Sequence, residues 1–448
     1  MKIHFISIGG AVMHNLAIAL YRQGHNISGS DDQIYEPSRS NLLNTGLLPK
    51  KIGYYESNIH ENLDFIILGM HAKKTNIELV KSKKIGLKIL SYPEFIYNFS
   101  KNKLRVVIAG SHGKTTITSM LIFILKKLNF DFDYLVGSKY DGLETSVKLS
   151  DSPIIIIEGD EYPSSVVDKI PKFHVYKPNY ALISGISWDH INVYKTFQDY
   201  INQFSTLLSL IKKNGYLTFN FHDKYLTNLI SENHNFEIEP YKTPKYLIKK
   251  EITYLFFKNK KVKLNIFGKH NLLNLMGALN ISKKLGISEI DFFHHIKDFK
   301  GSNNRMQKVF KKKNICVYKD FAHSPSKVYA TASAFREQFN NSINIGILEL
   351  STFSSLNRIF LKQYKNSMKD FDFAYIFYDE EKVIKRNMEI LSNKFIIDCF
   401  CKDNLIVIRT KKELLFNLLN QKSHDSKFIF MSSSNFNNFS FKNFFNEL

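Results

Sequence analysis

The sequence is poor in cysteine, tryptophan and proline, with three, one and ten of these among 448 residues, and its 41 acidic residues are outnumbered by 62 lysines and arginines. Three cysteines, Cys316, Cys399 and Cys401, are too few and too odd in number for a disulfide framework, and Cys399-x-Cys401 alone is too little for a zinc site. A reducing, cytoplasmic setting is expected. No apolar run approaches the roughly 18 residues of a membrane-spanning helix, so no membrane partner is expected. The opening MKIHFISIGG lacks the long apolar core and small-residue cleavage site of a secretory leader. Internal repeats and low-complexity linkers are missing too. The net charge of +21 suits a nucleic-acid binder or a protein that attracts anionic substrates. Lysine, however, is spread with asparagine, isoleucine and phenylalanine through every segment. It forms no basic stripe, and no aromatic platform accompanies it, so no nucleic-acid partner is expected.

What remains is a chain of ordinary globular composition, long enough for about three domains of roughly 150 residues. Residues 3 to 9 read as a buried strand that turns at Gly9-Gly10 into a helix carrying Met13, Leu16, Ala17 and Leu20, and Ile27 to Asp31 reads as the next strand end. Strand, glycine turn, helix, strand is the opening of a doubly wound nucleotide-binding unit. Alternation through Phe65–Leu68 and Leu87–Leu90 predicts a first domain over 1–102. A second begins with the strand Arg105–Ala109, a Gly110–Thr116 loop and an apolar helix from Ile117 to about Leu128. It continues through the strands Ile154–Ile157 and Tyr180–Ile183 and is predicted over 103–300. A new alternation then predicts a third α/β domain over 301–448, with Val317-Tyr318, a helix from Lys327 to Gln338 and Ile343–Leu348. The expected class is α/β, with Rossmann-like outer domains and a central P-loop ATPase-like sheet, parallel or mixed.

The most specific local signal is the phosphate loop. Backbone N–H groups of a glycine turn at a helix N-terminus cradle phosphate oxygens, Lys114 can neutralise β- and γ-phosphates, and a hydroxyl of Thr115 or Thr116 can reach Mg²⁺. A triphosphate, ATP, is the natural ligand. The common GxxxxGK[ST] spacing would put glycine at 108, where this chain has Ile108, so the loop is short. Glu158, Asp160 and Glu161 follow a buried strand, where a hard cation seeks carboxylate oxygens, and Glu158 is the expected ligand. His190, after Asp189, is readable as a metal ligand, a base or a hydrogen-bonded structural histidine. In the N-terminal unit Ser7 and Met13 stand where a full GxGxxG would have glycine, and Asp31 or Asp32 could meet a ribose or base. That pattern is equally compatible with a nicotinamide-dependent dehydrogenase, which leaves the GKT loop unexplained.

In order along nearly the whole chain, these segments resemble the Mur ligase family. Ala109–Thr116 is similar to the family's short ATP loop, Glu158-Gly-Asp-Glu-Tyr162 to its metal-binding segment, and Trp188-Asp-His190 to its D-H pair. Phe267–Asn274 is similar to its G-x-H-N-x-x-N segment, and Asp320–Pro325 to an element of its third domain. The resemblance implies an ATP-dependent, ADP-forming ligase acting on UDP-N-acetylmuramate in cell-wall peptide assembly. It assigns ATP contacts to Gly110, Ser111, His112, Gly113, Lys114, Thr115, Thr116, His270, Asn271, Asn274, Arg305 and Asp320. Mg²⁺ is assigned to Thr115, Glu158 and His190, catalysis to Lys114, Glu158 and His190, and UDP-sugar contacts to Gly9, Gly10, Ser30, Asp31 and His71.

Within the family, Ser91–Phe95, Asp168–Phe173 with Tyr176 and Pro178, and Val317–His323 resemble the murein peptide ligase branch. This implies the tripeptide L-alanyl-γ-D-glutamyl-meso-diaminopimelate as amine, with L-alanine the alternative acceptor. Three places depart from the branch pattern: Asn303-Asn304-Arg305 where adjacent arginines are usual, Leu350-Ser351-Thr352 in place of P-R-S, and Ser433–Asn438 in place of a glycine-rich loop. Some members use a carbamylated lysine, and Phe197–Tyr200 offers no clear lysine for that role.

Overall fold

The computed structural model describes residues 1–70, 72–140, 142–188, 193–230, 234–258, 260–420, 425–434 and 436. His71, Asp189 and His190 lie outside them. The described chain forms two compact units. The first comprises Met1–Ile186, Thr196–Lys242 and Gly277–Phe292; the second comprises Ser187–Lys195, Thr243–Met276 and Phe293–Leu448.

The first unit holds two sheets. β1 (Lys2–Ile6), β2 (Asn26–Ser30), β3 (Phe65–Leu68) and β4 (Ile89–Ser91) form a parallel sheet in the order β2-β1-β3-β4. β5 (Leu104–Ala109), β6 (Asp133–Leu135), β7 (Val147–Lys148), β8 (Ile154–Glu158), β9 (Tyr180–Ile183), β10 (Tyr216–Asn220) and β11 (Glu237–Tyr241) form a seven-stranded sheet in the order β11-β10-β9-β5-β8-β6-β7. Only β7 runs antiparallel to its neighbour. The sequence accounts for this layout. Central strands of a parallel sheet are covered on both faces, so they read as unbroken apolar runs, and Val106–Ala109 and Ile155–Ile157 are wholly buried. Each large aliphatic side chain so buried contributes roughly 1.5–3 kcal/mol.

Two cations, the buried Arg105 and the half-buried Lys103, fix the passage from the first sheet to the second. Arg105 donates to the carbonyls of Ser100, Lys101, Tyr176 and Lys177, while Lys103 Nζ reaches Asp133 at 2.6 Å and the Ser152 carbonyl at 2.8 Å. The two sheets are further joined where Asn15 Oδ1, in the helix Ala11–Arg22, accepts from the Ser146 amide just before β7.

The second unit holds an antiparallel three-stranded sheet and a six-stranded sheet. The first is β12 (Tyr246–Lys249), β13 (Ile252–Phe257) and β14 (Lys260–Leu264). The second contains β15 (Gln307–Lys312), β16 (Ile315–Asp320), β17 (Ile343–Glu349), β18 (Phe373–Phe377), β19 (Leu405–Ile408) and β20 (Ser426–Met431), in the order β15-β16-β20-β17-β18-β19. All of its pairings are parallel except β15 with β16. The expected α/β class with parallel sheets is therefore what the chain adopts. The antiparallel hairpins of β12–β14 were not legible in the sequence reading. β13 reads ITYLFF between the lysine-bearing β12 and β14, and all three are only partly buried, so they lack the wholly buried apolar runs that mark the central parallel strands.

Candidate functional site

β5 ends at Ala109 and the helix Lys114–Lys127 begins five residues later, so Gly110–Gly113 must turn the chain in one tight loop. Gly113 sits in the left-handed region at φ 84°, as N-cap of that helix. At Gly110 a Cβ would strike the Ser184 side chain and come within 2.8 Å of its amide, so only glycine lets β9 approach the loop this closely. Ser184 Oγ in turn donates to the carbonyls of Ala109 and His112, and the Ser111 amide donates to the Gly185 carbonyl at 2.9 Å. The loop is thus fixed by the neighbouring strand end. The first helical turn, Lys114-Thr115-Thr116, presents N–H groups with no carbonyl four residues back inside the helix, an arrangement suited to anions.

Around this turn the acidic segment after β8 supplies carboxylates. Thr115 Oγ1 donates to Glu158 Oε1 at 2.7 Å, and the Gly137 amide donates to Glu158 Oε2 at 2.6 Å. Lys114 Nζ pairs with Glu161 Oε2 at 2.5 Å and reaches the Gly110 carbonyl at 2.6 Å. Burial alone would lower the Lys114 pKa, but the charges of Glu161, Asp160 and Glu158 outweigh it and hold the ammonium above its ordinary value. Asp160 Oδ2 takes Lys172 at 2.5 Å, whose ammonium lies between the rings of Tyr92 and Tyr162. The structure therefore brings Gly110–Thr116, Glu158, Asp160 and Glu161 to one place. Among the described residues no cluster of three or more histidine, cysteine or acidic side chains is arranged to hold a metal. The Thr115 hydroxyl and the Glu158 carboxylate are nonetheless adjacent hard-oxygen donors of the kind Mg²⁺ takes. The His190 prediction lies outside the described residues.

In the first sheet, the carboxyl ends of β1 and β2 meet at Asp31. Its Oδ2 accepts from the Gly9 amide at 2.7 Å and its Oδ1 from the Asp32 amide at 3.0 Å. Burial raises the Asp31 pKa against the Gly9 bond, helped by the charge of Asp32. Gly9 is confined because a Cβ would lie 2.9 Å from that carboxylate. Gly10 is the N-cap of the helix Ala11–Arg22. The sequence reading missed Tyr54, whose hydroxyl lies 2.9 Å from Ser7 Oγ and 3.4 Å from Asp31, with its pKa pushed up to about 12, chiefly by burial. Ser30 faces inward instead and donates to Glu78, a fully buried carboxylate that also takes His4, Asn58 and the Tyr55 amide. Burial would raise the Glu78 pKa, but the bonds from His4, Ser30 and Tyr55 hold it below the ordinary value. The His71 prediction lies outside the described residues.

The second unit collects the remaining predicted residues. Asp320, at the end of β16, accepts from the amides of Met306 at 3.3 Å and Phe321 at 2.9 Å and from Thr331 Oγ1 at 2.5 Å. The Arg305 guanidinium stacks over Phe321 at 4.2 Å. His270 opens the helix Lys269–Lys284. Burial lowers its pKa, opposed by the charge of Asp320. Asn271 and Asn274 are buried on that helix, and the Asn271 amide group donates to the Phe267 carbonyl at 2.9 Å. No described helix is long and apolar enough to cross a membrane.

Residues 2–104 match the Mur ligase family catalytic domain, and residues 108–282 match the Mur ligase middle domain. The UDP-N-acetylmuramate–L-alanine ligase of Clostridium botulinum is 32% identical over 358 residues, 76% of this chain and 75% of that protein. The enzyme of the same name from Caldicellulosiruptor bescii is 30% identical over 389 residues, 82% of this chain and 81% of its own. Among solved structures, UDP-N-acetylmuramate-alanine ligase from Thermotoga maritima superposes with a TM-score of 0.73 at 20% identity, covering 97% of this chain and 96% of that one. A murein peptide ligase from Psychrobacter arcticus superposes with a TM-score of 0.68 at 21% identity, covering 98% and 97%. At such identities these two superpositions speak for the fold. Taken with the loop, the acidic segment and the parallel sheets that carry them, the sequence matches place the chain in the Mur ligase family of ATP-dependent, ADP-forming ligases.

Proposed function

We propose that this ligase joins the lactyl carboxylate of UDP-N-acetylmuramate to the amine of L-alanyl-γ-D-glutamyl-meso-diaminopimelate, with ATP and Mg²⁺. In this reading residues 1–102 take the nucleotide sugar, 103–300 take ATP, and 301–448 carry the remaining substrate contacts. The observation that carries the ATP half is the Lys114 ammonium held among Glu158, Asp160 and Glu161 at the start of a helix. A carboxylate is a poor acyl donor at neutral pH. Its oxygen attacks the γ-phosphorus of ATP, ADP leaves, and the acyl phosphate that forms carries a good leaving group. The amine nitrogen then bonds to the acyl carbon, inorganic phosphate departs, and the nitrogen loses a proton. Lys114 and the N–H groups of the helix turn stabilise charge on the transferring phosphoryl oxygens. Thr115 and Glu158, with His190, would hold Mg²⁺, which when bound neutralises charge on the β- and γ-phosphates.

The tripeptide reading rests on the resemblance of the Asp168–Phe173 segment, which ends in Lys172 and Phe173, to the murein peptide ligase branch. Both are buried against the acidic loop, Lys172 through Asp160 and Phe173 against Gly159. A second reading, L-alanine as acceptor, is favoured by the names of the relatives at 30–32% identity. Phosphate release from ATP with UDP-N-acetylmuramate and each amine in turn separates them. Turnover with the tripeptide alone supports the first reading, and turnover with L-alanine alone replaces it with the second.

A further inference from the structure

Tyr200 lies in the helix Phe197–Ser209, a segment outside both the phosphate loop and the acidic segment, yet its hydroxyl touches both. It lies 2.8 Å from Ser111 Oγ and 3.3 Å from Glu161 Oε1, and Tyr200 and Glu161 are fully buried. The ring is held edge-on to Phe204 at 5.3 Å, and Phe204 stacks on Phe173 at 5.5 Å. The helix itself is fixed at its start by a Thr196–Asp199 capping box.

Hydrogen-bond chemistry gives this cluster a direction. A phenol has one proton, and an ionised carboxylate only accepts. Paired with Lys114, Glu161 takes the Tyr200 proton, so Ser111 must donate to the Tyr200 oxygen. The result is an ordered line from Ser111 through Tyr200 to Glu161, with Lys114 donating to the same carboxylate from its other side at 2.5 Å. The lysine stem is flexible, so its ammonium is only as well placed as the groups that receive it.

We propose that Tyr200 is a positioning residue for the phosphate loop: through Ser111 it fixes the loop backbone, and through Glu161 it fixes the carboxylate that sets where the Lys114 ammonium stands. This rests on the reading of the loop as an ATP site, and the test separates the two claims.

The experiment is calorimetric titration of the full-length protein with ATP and, separately, with AMP, which has no β- or γ-phosphate for Lys114 to meet. Tyr200→Phe keeps the ring and its packing and removes the bridge. It is expected to weaken ATP roughly 5- to 10-fold and leave AMP unchanged, a split that general loosening of the fold would not give. Adding Tyr200→Phe to Lys114→Ala is expected to cost less than Tyr200→Phe costs alone, since the Glu161 route acts through Lys114 while the Ser111 route does not. Ser111→Ala, a second variant with its own folding outcome, is expected to reproduce the Tyr200→Phe result. Unchanged ATP affinity in both variants, or equal weakening of ATP and AMP, overturns the proposal while leaving the ATP site standing. Wild-type ATP affinity in Lys114→Ala alone overturns the ATP site itself.

Discussion

Thr115 Oγ1 lies 2.7 Å from Glu158 Oε1, so the first turn of the helix after β5 and the end of β8 share one hydrogen bond between two oxygen donors for a hard cation. If this pair holds Mg²⁺, Thr115→Val removes one donor and unsettles the other. The Mg²⁺ concentration needed for half-maximal turnover should rise by about 10- to 100-fold at fixed ATP. A Mg²⁺ titration that superimposes on wild type would remove Thr115 from the cation site.

Gly110 is held at φ 118° with Ser184 packed where a Cβ would go. Gly110→Ala must distort either the loop or the end of β9, at a cost of about 2 kcal/mol. A urea melt should show that loss together with weakened ATP binding. Full retention of both would mean that the loop is less tightly packed against β9 than described.

Arg105 is buried at 2% exposure, with its guanidinium spread over the carbonyls of Ser100, Lys101, Tyr176 and Lys177. Arg105→Met fills much of the space but leaves the buried Ser100 and Tyr176 carbonyls, and the part-buried ones of Lys101 and Lys177, without their donor, so a loss of about 3 kcal/mol is expected. Denaturation midpoint is the readout, and a change below about 0.5 kcal/mol would contradict the linker role.

Burial lowers the pKa values of His14, His174 and His270 below the ordinary 6.5. In the unfolded chain these rings gain protons near pH 6.5, while in the folded chain they stay neutral to lower pH. Between the folded values and 6.5 the unfolded state therefore binds more protons, and stability rises with pH. Glu78 acts in the same direction at lower pH, because its lowered carboxyl pKa contributes stability that is fully present above the ordinary 4.5 and lost as pH falls through the folded value. Melting temperature should fall as pH drops from 7.5 to 5.5, and His174→Asn should flatten the slope. A flat or inverted profile would refute the buried neutral histidines.

Legibility in the sequence followed physical cause. The helix after β5 was readable because strand, glycine turn and GKT are consecutive, and the structure starts it at Lys114, three residues before the predicted Ile117. The helix predicted from Lys327 starts at Pro325, where a proline at the first turn costs no hydrogen bond. Glu158 and Glu161 were readable because they follow Ile154–Ile157 directly. Tyr54 and Tyr200 were not, since each reaches its partners across a distance in the chain that no local spacing encodes: Tyr54 to Ser7, and Tyr200 to Ser111 and Glu161. The resemblance assigns Ser30 a UDP-sugar contact, whereas its hydroxyl donates to Glu78, 48 residues away.

The central claim is that this chain activates the carboxylate of UDP-N-acetylmuramate as an acyl phosphate at the Lys114 site. Incubation with ATP, Mg²⁺, UDP-N-acetylmuramate and hydroxylamine tests it without any choice of natural amine, because hydroxylamine converts an acyl phosphate to a hydroxamate. The account predicts a UDP-N-acetylmuramoyl hydroxamate formed in step with ADP, and neither product from Lys114→Ala. ADP formed without hydroxamate, or equal yields from the variant, would contradict it.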